Sequence, residues 1–335
     1  GGGLYMSGGG TITNTIIRNN TSTVNGGGVY LAGTLTKSFV GCTIEGNTGV
    51  EGGGIAYAMA GLLADIVDCS FVGNNATSRG GGIAVLGTTS LGIVITESCI
   101  FEMNHADFGG GAIWVSDLDV FRGVNCVFRE NIAETDGGVV RNEQTFQATN
   151  CTFYNNSAVS PTAADSFHTY RSDANTNLLN CIVVNDSANS NQGPGNFVNT
   201  YTLLPEGPTG TPNASGNFDA NPMFVDPMGT DGDASNDFML MPGSPAIDAG
   251  NSRGDLANIS VLDTMFDLNG DVRNLDDPAT SNTGVSTWEL CVDLGAYEFQ
   301  PTPAGPACVV DFVQDGILDV FDVFEFLNQF NAGCP

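Results

Sequence analysis

Hydrophobic positions along the first 190 residues come in short bursts of period two, rich in Val, Ile, Thr and Phe and broken by Gly and Asn. That alternation predicts strands with one face in and one face out, rather than helices with a 3.6-residue repeat. The bursts recur in two interleaved patterns. One is a glycine cluster followed by an apolar strand: GGGLYM (1–6), GGGVYL (26–31), GGGIAY (52–57), GGGIAV (80–85), GGGAIW (109–114) and the decayed DGGVVR (136–141). Counted from the first residue of each run, successive clusters lie 25, 26, 28, 29 and 27 residues apart. The other is Cys-x-apolar-x-x-Asn: CTIEGN (42–47), CSFVGN (69–74), CIFEMN (99–104), CVFREN (126–131) and CTFYNN (151–156), with variants at TIIRNN (15–20) and CIVVND (181–186).

A coil of this length, with three short strands and three turns, predicts an all-β fold: a right-handed parallel β-helix whose coils stack about 4.8 Å apart. About six or seven coils fit before residue 190. The leucine-rich frame of other repeats with this period is absent. Residues i and i+2 share a face, so Cys42, Cys69, Cys99, Cys126, Cys151 and Cys181 are expected in one inward column. Parallel Cβ vectors suit a disulfide poorly, so these thiols are expected to stay reduced. Asn20, Asn47, Asn74, Asn104, Asn131 and Asn156 are expected at a turn, in left-handed backbone and hydrogen-bonded along the stack. The glycine clusters are expected at another corner, where positive φ or close backbone approach is needed.

Composition narrows the partners. Nine basic residues against 37 acidic ones give a formal charge of -28, and Lys37 is the only lysine. Nothing in such a chain neutralises phosphates, which argues against nucleic acid and anionic lipid. With 41% hydrophobic residues at regular intervals, disorder does not fit. No apolar run of about 18 residues occurs, so membrane insertion is not expected. The chain opens inside a repeat unit without an initiator Met, so an upstream part with an export signal is expected.

The FxxN and GG-apolar landmarks resemble the repeats of chlamydial polymorphic outer-membrane proteins and related bacterial β-helix proteins. The resemblance covers residues 1–190 and implies surface exposure and adhesion. Beyond it the repeat dissolves. The run GSPAIDAG (243–250), Asp267-x-x-Gly270-x-x-Arg273 and DLGAYE (293–298) resemble the C-terminal end of β-helix proteins of the choice-of-anchor Q type. Residues 191–300 are accordingly expected to be irregular last coils and a cap over the end of the solenoid.

PTPAGP (301–306) reads as a linker to a small module at 307–335. There Asp311, Asp315, Gly316, Asp319 and Asp322 occupy positions 1, 5, 6, 9 and 12 of a calcium loop, and Ile317 offers its carbonyl from position 7. An apolar-rich helix is expected over 320–330. The segment resembles half of a GC-type dockerin. Val313 at position 3 lacks a ligating oxygen, and the second loop is missing, so weak Ca2+ binding is expected. Cys308 and Cys334 bracket the module and are its expected disulfide in an oxidising compartment, which leaves Cys291 unpaired.

Catalytic chemistry has few candidates. Lyase chemistry needs a positioned base, for which Arg122, Arg129, Arg141 and Arg171 are available. Hydrolysis needs two opposed carboxylates, and Asp107, Asp117, Asp119, Glu130, Glu134 and Asp136 lie in the later coils. His105 and His168 are the only histidines. No flanking pattern singles out any of these. In the strand after each glycine cluster, Tyr5, Tyr30, Ala56, Ala84, Ile113 and Val140 are expected to face outward as an apolar stripe. Either another part of the chain covers it, or it contacts another chain or a glycan. The combined expectation is a secreted or cell-surface structural or adhesive protein, with partners among other copies, surface proteins and glycans. A polysaccharide lyase, a hydrolase or a glycan-binding module is the alternative.

Overall fold

The computed structural model describes residues 1–59, 63–87, 91–160, 166–184, 191–204, 215–229, 237–252, 265–273, 275–285 and 291–301. The chain divides into two compact units, Gly1–Phe299 and Gln300–Pro335. The first is built on an all-β parallel solenoid of about six turns, and no helix occurs among the described residues. One coil serves as the pattern: Ile55–Met59, Leu63–Val67, Ser70–Val72 and Asn75–Arg79 are successive strands. Each pairs in parallel with its counterparts in the coils before and after. The coils thereby build two eight-stranded sheets, A and B, a seven-stranded sheet C and a five-stranded sheet D, in that order around the coil. Four strands per coil replace the expected three, because the short segment after each landmark Asn also pairs.

Stacking places each residue on its counterpart. Phe71, Phe101, Phe128 and Phe153 form an inward column, with ring centroids 4.7, 4.7 and 5.0 Å apart and nearly parallel planes. Cys42, Cys69, Cys99, Cys126, Cys151 and Cys181 are all buried free thiols, one residue ahead of each sheet C strand. The Cys42 and Cys126 amides donate to the Cys69 and Cys151 sulfurs at 3.3 and 3.4 Å.

The Asn column is a continuous hydrogen-bonded ladder. Asn104 Oδ1 accepts from the Asn74 amide and Nδ2 at 3.1 and 3.0 Å. Asn104 Nδ2 donates in turn to Asn131 Oδ1 at 3.0 Å and to the Phe71 carbonyl at 2.8 Å. Asn47, Asn74 and Asn131 make the same set. These asparagines do not adopt left-handed backbone, contrary to expectation. Positive φ falls on the preceding residue instead: Asn19, Gly46, Gly73, Met103, Glu130 and Asn155. That residue turns the corner, so the Asn side chain can point inward and saturate the turn from within.

The glycine corner has two distinct requirements. Gly26, Gly52, Gly80, Gly110 and Gly137 have φ between 62° and 73°. The next glycine faces backbone at close range: a Cβ on Gly81 would lie 2.3 Å from the Gly111 carbonyl oxygen and 2.4 Å from that of His105. No side chain fits there.

Residues 215–299 contribute a second apolar cluster, in which Phe224, Phe238, Leu240, Leu294 and Tyr297 pack with Val127, Tyr154 and Ile182 from the outer face of sheet C. Hydrogen bonds tie the same surfaces. Asn125 Nδ2 donates to the Phe266 carbonyl at 2.7 Å, the Ala296 amide to Thr152 Oγ1 at 3.0 Å, and the Asn251 amide to Asn180 Oδ1 at 2.8 Å. The solenoid does lengthen by short bridges, Ile182 to Leu203 to Phe218. The described part of the later segment packs along the outer face of sheet C. The outward residues from Val127 onward are apolar enough to be covered.

Two substitutions test this account. Phe128→Ala removes the middle of the aromatic stack and should cost about 3–5 kcal/mol in a urea titration. Asn104→Ala leaves the Asn74 donors and the Phe71 carbonyl unpaired and should cost more than the roughly 1 kcal/mol of an ordinary hydrogen bond. Asn104→Asp, which sets a buried carboxylate oxygen against the Asn131 and Phe71 acceptors, should cost at least as much as Asn104→Ala at neutral pH.

Candidate functional site

The second residue of successive sheet A strands faces away from the core. Pairing sets this column as Tyr5, Tyr30, Ala56, Ala84, Trp114, Arg141 and His168. Tyr5 and Tyr30 are stacked as expected, with centroids 5.8 Å apart and Tyr5 60% exposed. Ile113 and Val140 are not in the column. They pair with Ile83 and Phe167 and are fully buried in the core. The glycine count misleads here: Gly109 bridges Arg79 and Asp136, so Gly110 and Gly137 are the corner residues and each strand begins one residue later. Aligning on the alternation Ile83/Val85 with Ile113/Val115, rather than on glycine, places Trp114 and Arg141 outward.

Around Trp114 and Arg141 the outer face carries a row of alternating rings and guanidinium groups. Arg79 lies 4.8 Å from the Trp114 ring centroid and 5.1 Å from that of Phe108. Arg141 lies 5.1 Å from Phe108 and 3.8 Å from Tyr170, and the His168 ring is 5.6 Å from Tyr170. Each such contact contributes about 0.5–2 kcal/mol, more as it is desolvated. Carboxylates hold the arginines from the other side. Arg141 Nη1 donates to both Asp136 oxygens at 3.0 and 2.7 Å, and its Nε donates to Glu143 at 3.1 Å. His168 Nδ1 is 3.2 Å from Asp136, and Arg79 is 3.9 Å from Glu51. Arg141 is only 2% exposed, whereas Phe108 and Tyr170 are 42% and 47% exposed.

Burial alone would raise the Asp136 pKa, but His168 and Arg141 outweigh it and hold the carboxyl below its ordinary range. Asp136 is therefore an ionised partner and a poor proton donor. Arg141 sits between two carboxylates and two rings, so its guanidinium is already engaged. The other candidates are engaged elsewhere. Arg122 donates to Gln147 at 2.9 Å, Arg129 binds Glu102 at 2.9 Å and Asp237 at 2.6 Å, and Arg171 binds Asp117 at 2.6 Å and Asp173 at 3.1 Å. His105 contacts Glu134 at 3.1 Å and Asp107 at 3.6 Å. Glu130 turns a left-handed corner at φ 54°. Asp119 accepts from Ser116 Oγ and the Gly92 amide, each at 2.9 Å, and burial pushes its pKa up to about 6.

A second polar cluster lies within residues 243–299. Arg273 is wholly buried, 3.4 Å from Glu298 and hydrogen-bonded to the Gly295 carbonyl at 2.9 Å. Asp267 accepts from the amides of Asn269, Asp271 and Glu298, and Asp293 accepts from that of Asp248. Asp248 accepts from the Asp277 amide and is pushed up to about 6, chiefly by burial. Burial and the neighbouring Glu298 raise Asp293 further. The three sequence runs GSPAIDAG, Asp267–Arg273 and DLGAYE thus meet in one buried clasp. No group of three or more His, Cys, Asp or Glu side chains among the described residues is arranged to hold a metal ion. Asp311, Asp315, Ile317, Asp319, Asp322, Cys308 and Cys334 lie outside the described residues.

No protein-family model matches the chain, and no curated protein is similar to it in sequence.

The raised carboxyls predict the pH dependence. Their folded pKa exceeds the ordinary value near 4, so folding takes up protons between about 4 and about 6. Stability should be greatest below that window and fall as pH rises through about 6. Asp136, shifted the other way, loses its contribution only on acidification below the ordinary carboxylate range. Thermal unfolding should therefore give a higher midpoint at pH 5 than at pH 7.5. Relief of general charge repulsion acts in the same direction, so the discriminating measurement is Asp248→Asn, which should raise the midpoint at pH 7.5 and flatten the difference.

Proposed function

We propose that this chain is a right-handed β-helix protein of the cell exterior that acts by contact, as a non-catalytic structural or adhesive scaffold. The observation that supports this reading best is the state of the charges on the outer face of sheet A. Asp136, Arg141, Glu143 and His168 engage one another, while the rings of Phe108, Tyr170 and Tyr5 are left to solvent. Lyase chemistry wants a base with a free lone pair, and hydrolysis wants one carboxylic acid held protonated beside an ionised one. The row favours neither. Exposed rings on a rigid sheet favour contact with other copies, surface proteins or glycans.

The resemblance of the repeats to polymorphic outer-membrane proteins, and of 243–298 to choice-of-anchor Q ends, supports a secreted or surface location. The dockerin-like tail supports attachment through residues 307–335. We read it as a calcium module with Asp311, Asp315, Ile317, Asp319 and Asp322 as ligands and Cys308–Cys334 as its disulfide. The alternative, a polysaccharide lyase or hydrolase, makes a direct claim on an assay. Incubation of the chain with calcium and a panel of acidic and neutral polysaccharides should yield no unsaturated uronates and no new reducing ends. Product that disappears on changing Arg141, Arg171, Glu130 or Asp136 would establish the enzyme instead.

Calorimetric titration of the full chain with Ca2+ should show one weak site, with a Kd on the order of 10⁻⁴–10⁻³ M. Asp311→Ala and Asp322→Ala should each abolish its heat. Unchanged heat in both variants would remove the calcium module from the proposal.

A further inference from the structure

We propose that the ring-and-arginine row on sheet A is a binding platform for a neutral, pyranose-based polysaccharide. This rests on the contact role argued above and names its ligand.

The geometry supplies three of the things such a ligand needs. The apolar CH face of a pyranose stacks on an aromatic ring, and Phe108 and Tyr170 offer rings that are 42% and 47% exposed on either side of the Arg141 guanidinium. The outward column repeats at the inter-strand distance of about 4.8 Å. That is close to the length of one sugar unit, so the column Trp114, Arg141 and His168 presents one position per unit to a chain running along the solenoid, with Phe108 and Tyr170 beside it. Hydroxyl oxygens need donors. The Trp114 indole N–H and the Arg79 Nε–H are buried in the row with no hydrogen-bond partner among the described residues, and Trp114 is only 7% exposed. Buried donors without partners are rare in folded proteins, and a small shift of either side chain on association would turn its N–H to a sugar hydroxyl.

The centre of the row is held before anything binds. Arg141 is fixed by two carboxylates and two rings, and its stem lies over Gly109, where a Cβ would meet Asp136 Oδ1 at 2.4 Å and Arg141 Cδ at 3.0 Å. Little side-chain freedom remains to be lost on association.

Charge then selects the class of sugar. Arg79, Arg141 and Arg171 are outnumbered by the carboxylates already bound to them. The Arg141 and Arg171 forks that would recognise a uronate or a sulfate are occupied, whereas Arg79 lies 3.9 Å from its one carboxylate, and the chain as a whole carries -28. An anionic polymer meets repulsion here and a neutral one does not.

Intrinsic fluorescence and affinity electrophoresis of the full chain test this, in a Trp288→Phe background that leaves Trp114 as the sole indole. The probes are a soluble β-glucan and a galactomannan as neutral polymers, with polygalacturonate and alginate as anionic ones. Binding of at least one neutral polymer is expected, with a change in Trp114 emission and no loss in moderate salt. Phe108→Ala and Tyr170→Ala should each weaken it roughly five- to tenfold. Phe108→Leu, which keeps apolar bulk without a π face, should weaken it nearly as much while the unfolding midpoint stays unchanged. Arg122→Ala, on the outer face of sheet B, should bind like the parent. Preference for the anionic polymers, binding indifferent to the Phe108 and Tyr170 variants, or no retention by either neutral polymer would each overturn the platform. If the chain still attaches to cell surfaces or to its own copies in the last case, the contact role stands without it. New reducing ends would overturn both.

Discussion

Parallel stacking obliges every side chain to sit on its own counterpart one rung away, and this self-matching governs the rest of the molecule. A residue type survives in a column only if it tolerates a copy of itself at about 4.8 Å. Phenylalanine does so by offset stacking, asparagine by passing one hydrogen bond to the next rung while tying down a carbonyl, and cysteine as a small apolar group with a weak donor. Charged residues do not, because like charges on adjacent rungs repel. The low proportion of charged residues, 14%, and the placement of arginines beside carboxylates from neighbouring coils follow from the same requirement. So does the glycine corner, where successive coils approach backbone to backbone and no Cβ fits.

The C-terminal segment is held by a different principle. Its residues do not repeat, so each contact is made once, and polar groups removed from water must be satisfied individually. The carboxyls of Asp248, Asp267, Asp293 and Glu298 achieve this by accepting from backbone amides in turns that no strand ladder serves, and Arg273 by donating to the Gly295 carbonyl. More acids than bases are buried, and the surplus charge is relieved by raising Asp248 and Asp293 toward their protonated forms. The clasp orders irregular chain against sheet C, and its sensitivity to pH is a consequence of using carboxyls where the solenoid uses amides.

This difference explains what the sequence disclosed. A self-matching column writes its period into the chain, which is why the Cys, Phe and Asn ladders and the parallel stacking were legible from spacing alone. Glycine spacing misplaces Ile113 and Val140 in the sheet A column, where strand alternation sets the register. Gly109 belongs to the preceding bridge, a register that only the pairing partners reveal. The left-handed corner was assigned one residue late, since Asn is both a good left-handed residue and a good ladder residue, and the chain uses it here for the second property. The row on sheet A was invisible for another reason. Arg79, Phe108, Arg141 and Tyr170 come from different positions in different coils, so no spacing connects them. The clasp lay between: its runs were noticed as motifs, but contacts such as Thr152 with Ala296 span 144 residues and leave no local trace.

Function on such a scaffold has to arise where self-matching is abandoned, since a column of identical residues offers the same chemistry at every rung. On the outer face of sheet A the column runs Tyr, Tyr, Ala, Ala, Trp, Arg, His, and that change of character coincides with exposed rings and bound arginines. Catalysis would require those departures to leave one group free to take or give a proton. Here they do the opposite: the Asp136 carboxyl is drawn down by His168 and Arg141, and Arg141 is enclosed by acids and rings. Mutual pairing of these charges leaves them engaged with one another and holds Arg141 in place. On the contact role proposed above, a surface with internally matched charges and exposed rings recognises a repeating partner by shape and stacking, which is the chemistry a repeating scaffold can present best.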